Sequence, residues 1–136
     1  MEEHQMEILY TRETSDSVEE VGKRLETATP KHKFGVINIV DLRAKMHAKG
    51  VAFSPACLVY EVCNPHRAKD VLENMMAIST VLPCRISIYE EAGKTKVTTL
   101  LPTQALGMFA AAGLDAVAES VEKDLIAIID DAIDMA

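Results

Sequence analysis

At Asn64-Pro65 the chain changes its period. Before that point, Cys57 to Cys63 alternates: Leu58, Tyr60 and Val62 share one face and Cys57, Val59, Glu61 and Cys63 the other, which is the two-residue repeat of a strand. After it, Ala68, Val71, Leu72 and Met75 fall on one face of a helix expected from Pro65 to about Met76. The switch is abrupt because Asn is a favoured helix cap and Pro is tolerated at the first helical position, where its missing N–H would have had no partner. A strand that becomes a helix with no linker lays sheet and helix together, so the fold must contain both layers.

The remaining segments extend this pattern. Gln5 to Arg12 alternates through Met6, Ile8 and Tyr10 and reads as a first strand. Ser17 and Glu20 have capping-box spacing, and Val18, Val21 and Leu25 follow on one helical face, so a helix is expected to about Thr29, closed by Pro30. The β-branched run from Lys33 to Val40 reads as a central strand buried on both faces, and Asp41 to Lys49 as a short helix ended by Gly50. Pro83 leads into a strand from Cys84 to Glu90, with Cys84, Ile86 and Ile88 on its apolar face. Glu91-Ala92-Gly93-Lys94 then reads as a hairpin turn into a strand from Thr95 to Leu101. Beyond Pro102, Leu106 and Phe109 form a short apolar pair, and Leu114, Val117, Ala118, Val121, Leu125, Ile128, Ile129 and Ile133 mark a closing helix over about 114–135 that covers one face of the sheet. Residues 1–136 thus read as one α+β domain, with a mixed or antiparallel sheet of about five strands and helices packed on it. The direction of the fourth strand hinges on Ala77 to Leu82. A simple return of the helix makes it parallel to the third strand, whereas an extended Ile78 to Val81 makes it antiparallel.

Composition limits the function. Acids outnumber Lys and Arg by 21 to 14, for a net charge of -7, and Trp is absent, so the cationic and aromatic surface that nucleic-acid binding requires is not expected. Apolar residues make up 49% of the chain, too many for disorder. No apolar run reaches the ~18 residues of a membrane span. The acidic start, Met1-Glu2-Glu3, does not resemble a signal peptide, and three cysteines, Cys57, Cys63 and Cys84, are too few for a secreted disulfide framework. A cytoplasmic protein with free thiols is therefore expected.

The segment Cys63-Asn64-Pro65-His66 is the most chemically suggestive. A thiol just outside a helix start lies near unpaired N–H groups and the positive end of the helix dipole, both of which favour thiolate and would make Cys63 a nucleophile. The plain alternative is a small apolar residue at a strand end followed by an ordinary cap. Cys84 reads first as a buried residue. If its strand is antiparallel to the third, Cys63 and Cys84 meet at one end; if parallel, they lie roughly 20 Å apart. Cys63, His66 and Cys84 could hold a soft metal or haem, but no second C-x-x-C or H-x-x-H completes a structural zinc site. Glu61 and Glu90 could form an acid–base pair, although carboxylates near strand ends are more often exposed. His4, His32 and His47 read as surface, and Met75-Met76 as helix packing.

Val62-Cys63-Asn64-Pro65, a helix containing Ala68, and then Leu82-Pro83-Cys84-Arg85 running into Ile88-Tyr89-Glu90 resemble, in that order and separation, the domain of unknown function 302 family. The resemblance covers about 7–101, with the helical tail as a common continuation. It implies a topology similar to TATA-box-binding-protein-like folds, a homodimer, and characteristic positions at Cys63, Asn64, Pro65, Pro83, Cys84 and Glu90. Cys57 belongs to neither motif. The family implies no activity, and whether the chain is an enzyme stays open. The leading expectation is a site at Cys63 and Cys84 for thiol redox, sulfur-transfer or small-ligand chemistry, with Asn64, Pro65, Pro83 and Glu90 as ligand-binding candidates and no defined cofactor. The alternatives are a homodimeric binding or assembly module, mating through its sheet or closing helix, and a soft-metal or haem protein.

Overall fold

The computed structural model describes residues 8–109 and 113–135. Along the chain lie β1 (Leu9–Thr14), α1 (Val18–Lys31), β2 (Gly35–Asp41), α2 (Leu42–Ala48), β3 (Cys57–Cys63) and α3 (Pro65–Asn74), followed by a 3-10 helix (Met76–Val81), β4 (Cys84–Glu91), β5 (Lys94–Leu100), α4 (Pro102–Gly107) and α5 (Asp115–Asp134). The strands make one sheet in the order β1-β5-β4-β3-β2, with every neighbouring pair antiparallel. The α+β class and the five strands agree with the sequence, and the direction of β4 is settled as antiparallel.

Local chemistry explains most of the element boundaries. Ser17 and Glu20 form the reciprocal capping box at the start of α1. Pro30 does not close that helix; it lies within the last turn, where the lost N–H removes one bond at the frayed end. Ala92 and Gly93 both have positive φ, 53° and 75°, which is the type I′ geometry whose twist suits a two-residue hairpin between β4 and β5. The first strand lies at Leu9–Thr14, later than its apolar pattern suggested; residues 5–7 are outside the described residues. α3 stops at Asn74, and the segment after it coils into the 3-10 helix instead of running extended, yet still returns the chain antiparallel. Met75 packs against its neighbours, but Met76 points out at 70% exposure, so the pair does not serve helix packing as a unit.

Helices α1 and α5 pack together over one sheet face. α1 buries Val18, Val21, Leu25 and Ala28, and α5 buries Val121, Leu125, Ile128, Ile129, Ala132 and Ile133, against Tyr60, Val62, Ile86, Ile88 and Val97 of the sheet. At roughly 1.5–3 kcal/mol for each large side chain removed from water, this layer dominates stability. α1 approaches β3 so closely that a Cβ added at Gly22 would lie 2.3 Å from Tyr60 Oη. The stripe of α5, Ile129 included, is buried against α1, the sheet and, at its start, a smaller neighbouring cluster. At the edge of that layer, Tyr10 Oη donates to Asp130 at 2.5 Å and Arg12 pairs with Asp130 and Asp134, which ties β1 to α5. His32, expected at the surface, is half-buried against Asp131 at 2.7 Å, while His47 is exposed and bonds the Phe53 carbonyl; His4 lies outside the described residues.

One expectation fails on position. β2 is an edge strand, not a central one, and Ile37 and Ile39 are 60% and 42% exposed. A β-branched run looks the same in sequence whether neighbours cover it on both sides or on one. The register also slips between Val36 and Asn38, so Ile37 sits in a bulge.

A second, smaller cluster lies beyond one end of the sheet. Val71 of α3, Ile78 of the 3-10 helix, Leu106 of α4, and Leu114 with Ala118 at the start of α5 pack there. Half-buried Val117 touches both this cluster and the main core.

Candidate functional site

The seam between the two clusters holds a cavity of about 410 Å³. It lies where β3 ends and β4 begins, the end of the sheet shared by the start of β1 and the end of β5. α3 and α4 form its walls through Ala68, Val71, Ala105 and Leu106, the segment Thr80 to Pro83 its rim, and Val121 of α5 its back. The Leu82–Pro83 peptide on that rim is cis.

Cys63, Asn64, Pro83 and Cys84 all line this space, so the structure brings together four of the positions singled out in the sequence. The two thiols share one sheet end but not one sheet face. Val62 lies directly opposite Cys84, which places Cys84 on the core face with Ile86 and Ile88, and strand alternation puts Cys63 on the opposite face with Glu61 and Val59. The cavity wraps around the strand ends and touches both, also reaching Ser87 and Thr98 on the face away from α1 and α5. None of the three cysteines is in a disulfide. Burial pushes the Cys84 thiol up to about 11, the nearby Cys63 adds to the effect, and Arg85 opposes it.

The helix start beside Cys63 is fully engaged. Asn64 Oδ1 accepts from the N–H groups of His66 and Arg67 at 3.1 and 3.2 Å, Ala68 N–H donates to the Asn64 carbonyl at 2.9 Å, and Pro65 has no N–H. Asn64 and Pro65 thus build the wall by capping α3, and these first-turn donors are not left for the Cys63 sulfur.

The acidic candidates do not join the site. Glu90 lies near the far end of β4, about 20 Å from Cys84 at the rise of a strand, where its side chain accepts from Ala56 N–H at 2.7 Å and its own N–H donates to the Ala56 carbonyl. Its role there is to hold the loop entering β3. Glu61 pairs with Arg85 at 3.2 Å and accepts from Asn38, on the face opposite Glu90, so the two carboxylates form no acid–base pair. Cys57 sits opposite Tyr89, at the other end of β3 from the cavity. Among the described residues no group of three or more His, Cys, Asp or Glu side chains gathers to hold a metal, which leaves the Cys63, His66 and Cys84 arrangement without a ligand set.

Sequence reasoning passed over Arg67. This residue lines the cavity one turn into α3, and its Nη2 donates to Ser120 Oγ of α5 at 2.9 Å. The available signal was its position three residues after a cap in a chain dominated by acids.

Comparisons agree with this fold. The profile described as domain of unknown function DUF302 matches residues 10–132. The crystal structure of an uncharacterized conserved DUF302 protein from Bacillus stearothermophilus superposes with a TM-score of 0.87 at 34% sequence identity, covering 92% of this chain and 98% of that one. No curated protein matches the chain. Among the described residues no helix is long and apolar enough to cross a membrane.

Proposed function

Because the chain belongs to the DUF302 family, whose name carries no activity, we propose a function from the site itself: the protein binds a small apolar molecule in the cavity at the end of its sheet, with Cys63 and Cys84 against the ligand. The observation that carries this reading is the cavity between the two clusters. Its volume falls in the range of roughly 300–1,000 Å³ typical of ligand pockets, and its walls are mainly aliphatic. The space opens at its rim, so a ligand can enter it, and its aliphatic walls favour an apolar one.

Thiol redox or sulfur transfer has less support. Cys84 is held protonated by burial, the two sulfurs emerge on opposite faces, and Asn64 occupies donors that would have stabilised a Cys63 thiolate. The ligand-binding reading is tested with the neutral fluorescent probe N-phenyl-1-naphthylamine. The expected result is a saturable, one-to-one rise in fluorescence that is lost in Ala68→Phe, which fills the cavity, while the variant keeps its circular dichroism and melting transition. Bound probe should also slow alkylation of Cys63 and Cys84 and leave Cys57 unchanged. Absence of saturable binding, or binding unaffected by a folded Ala68→Phe, overturns the reading.

A second reading, assembly as a homodimer, is favoured by the arm formed by β2, α2 and the loop to β3. α2 buries no residue, and Ile37, Ile39, Leu42, Val51 and Phe53 are all exposed. From Leu42 to Pro55 the chain has Arg43, Lys45 and Lys49 and no acid, which leaves 14 − 3 = 11 basic against 21 acidic residues elsewhere. A basic, apolar arm on an acidic body suits a second copy of this chain. The bulge at Ile37 opposes simple strand addition, so the contact is made by side chains. Light scattering after chromatography tests this: a dimer that Phe53→Glu converts to a folded monomer supports it, and a monomeric wild-type protein at tens of micromolar refutes it.

A further inference from the structure

The cavity has an electrostatic asymmetry that its apolar walls conceal. Although acids outnumber basic residues by 21 to 14 in the chain, among the described residues no Asp or Glu lines the cavity, and two arginines, Arg67 and Arg85, do. Their circumstances differ. Arg85 is neutralised by Glu61 at 3.2 Å. Arg67 makes no ion pair among the described residues; the residue is half-buried and its guanidinium is oriented by a neutral partner, Ser120 Oγ. A guanidinium at an apolar cavity without a carboxylate partner leaves several N–H donors and a full charge for whatever enters.

Resting on the ligand-binding reading above, we propose that the natural ligand is an amphipathic anion whose carboxylate pairs with Arg67 and whose hydrocarbon body fills the cavity toward Leu106 and Val121. A cavity of 410 Å³ is on the scale of pockets that hold small organic ligands, which makes a medium-chain carboxylate such as decanoate a fitting probe. The planar fork of arginine matches a carboxylate in two parallel hydrogen bonds, and Ser120 fixes one edge of that fork in advance. Arg67 is thus the specificity-determining residue, and the thiols of Cys63 and Cys84 lie along the body of the ligand and away from its charge.

Competition against bound N-phenyl-1-naphthylamine separates this inference from the reading beneath it. Decanoate and methyl decanoate, both below their aggregation concentrations, are titrated into the wild-type protein, Arg67→Met and Arg67→Lys. Decanoate is expected to displace the probe at least about tenfold more effectively than its ester in wild type, as a charge-assisted contact allows. That gap should close in Arg67→Met, persist in part in Arg67→Lys, and narrow in wild type as salt rises. If acid and ester compete equally in wild type, or if the gap survives in Arg67→Met, the anion inference fails while the cavity reading stands. If the probe binds nowhere that Ala68→Phe can block, the cavity reading fails first. Thermal melts of both Arg67 variants without ligand establish that any loss of selectivity occurs in a folded protein.

Discussion

The Cys84 thiol offers a direct measurement of how dry the cavity wall is. Its pKa is pushed to about 11 from an ordinary 9.0, mainly by burial. Below pH 8 the thiol is protonated in both folded and unfolded chains and does not bias folding. As pH rises through 9 the unfolded chain gains a thiolate that the folded chain withholds until about 11, so stability is lost across that window. Two pH units at 1.36 kcal/mol each set an upper figure of about 2.7 kcal/mol, of which about 2 kcal/mol is reached by pH 10.5, half a unit below the folded value. Other groups also titrate there, notably Tyr60, which burial and then Glu26 push to about 12, so the quantity to measure is a difference. Urea unfolding of wild type and Cys84→Ala at pH 8 and pH 10.5, under reducing conditions, isolates it. The variant is expected to be less stable at pH 8 and to lose ~2 kcal/mol less on going to pH 10.5. The same protonation predicts alkylation of Cys84 at pH 8 about 100-fold slower than that of an ordinary thiol. Parallel pH dependences in the two proteins would refute the argument, because they would mean that the Cys84 sulfur is hydrated and that the wall it belongs to is wet.

Two further outcomes test how the walls are held. Gly22→Ala should destabilise by about 1–2 kcal/mol, since overpacking against Tyr60 Oη exceeds the gain of replacing a helical glycine. In a Tyr60→Phe background the same change should become neutral or stabilising, so a double-mutant cycle by chemical denaturation that shows no coupling contradicts the close approach. Asn64→Ala should cost about 1 kcal/mol by stripping the cap from α3, and hydrogen exchange should rise first at the His66 and Arg67 amides; uniform protection of α3 in the variant would show that the cap is dispensable.

The sequence carried the elements better than their neighbours. Caps at Ser17 and Asn64, the positive-φ pair at Ala92-Gly93 and the stripe of α5 are local signals, each written within a few residues, and each appears in the structure. Sheet order is not local. The run around Val36 to Val40 has the β-branched composition of a central strand, yet it lies at the edge with Ile37 and Ile39 exposed, and nothing in the run distinguishes a neighbouring strand from another partner. The meeting of Cys63 and Cys84 depended on the direction of β4, which is set by how the residues between Met76 and Leu82 coil, a segment with neither strand nor helix period. Strand parity was legible once that direction was known, and it separates the two sulfurs onto opposite faces. Glu90 shows the opposite limit: proximity to a motif in sequence placed it among the site residues, while the rise of a strand carries it to the far end. The cavity itself could not be read from any segment, since eight elements from along the chain line it.

Val117 packs on both clusters and α5 carries buried residues of each, so the lobe of α3, the 3-10 helix and α4 is joined to the layered core chiefly through that one helix. Cooperativity in a folded chain follows the contacts between its parts, and a unit with few of them can open at less than the global free energy of unfolding. Partial opening of the lobe is the expected outcome, with amides of Val71 and Leu106 exchanging before those of Leu25 and Ile128, which wait for complete unfolding. A ligand bound in the cavity as proposed would add contacts between lobe and core and should narrow that difference in exchange.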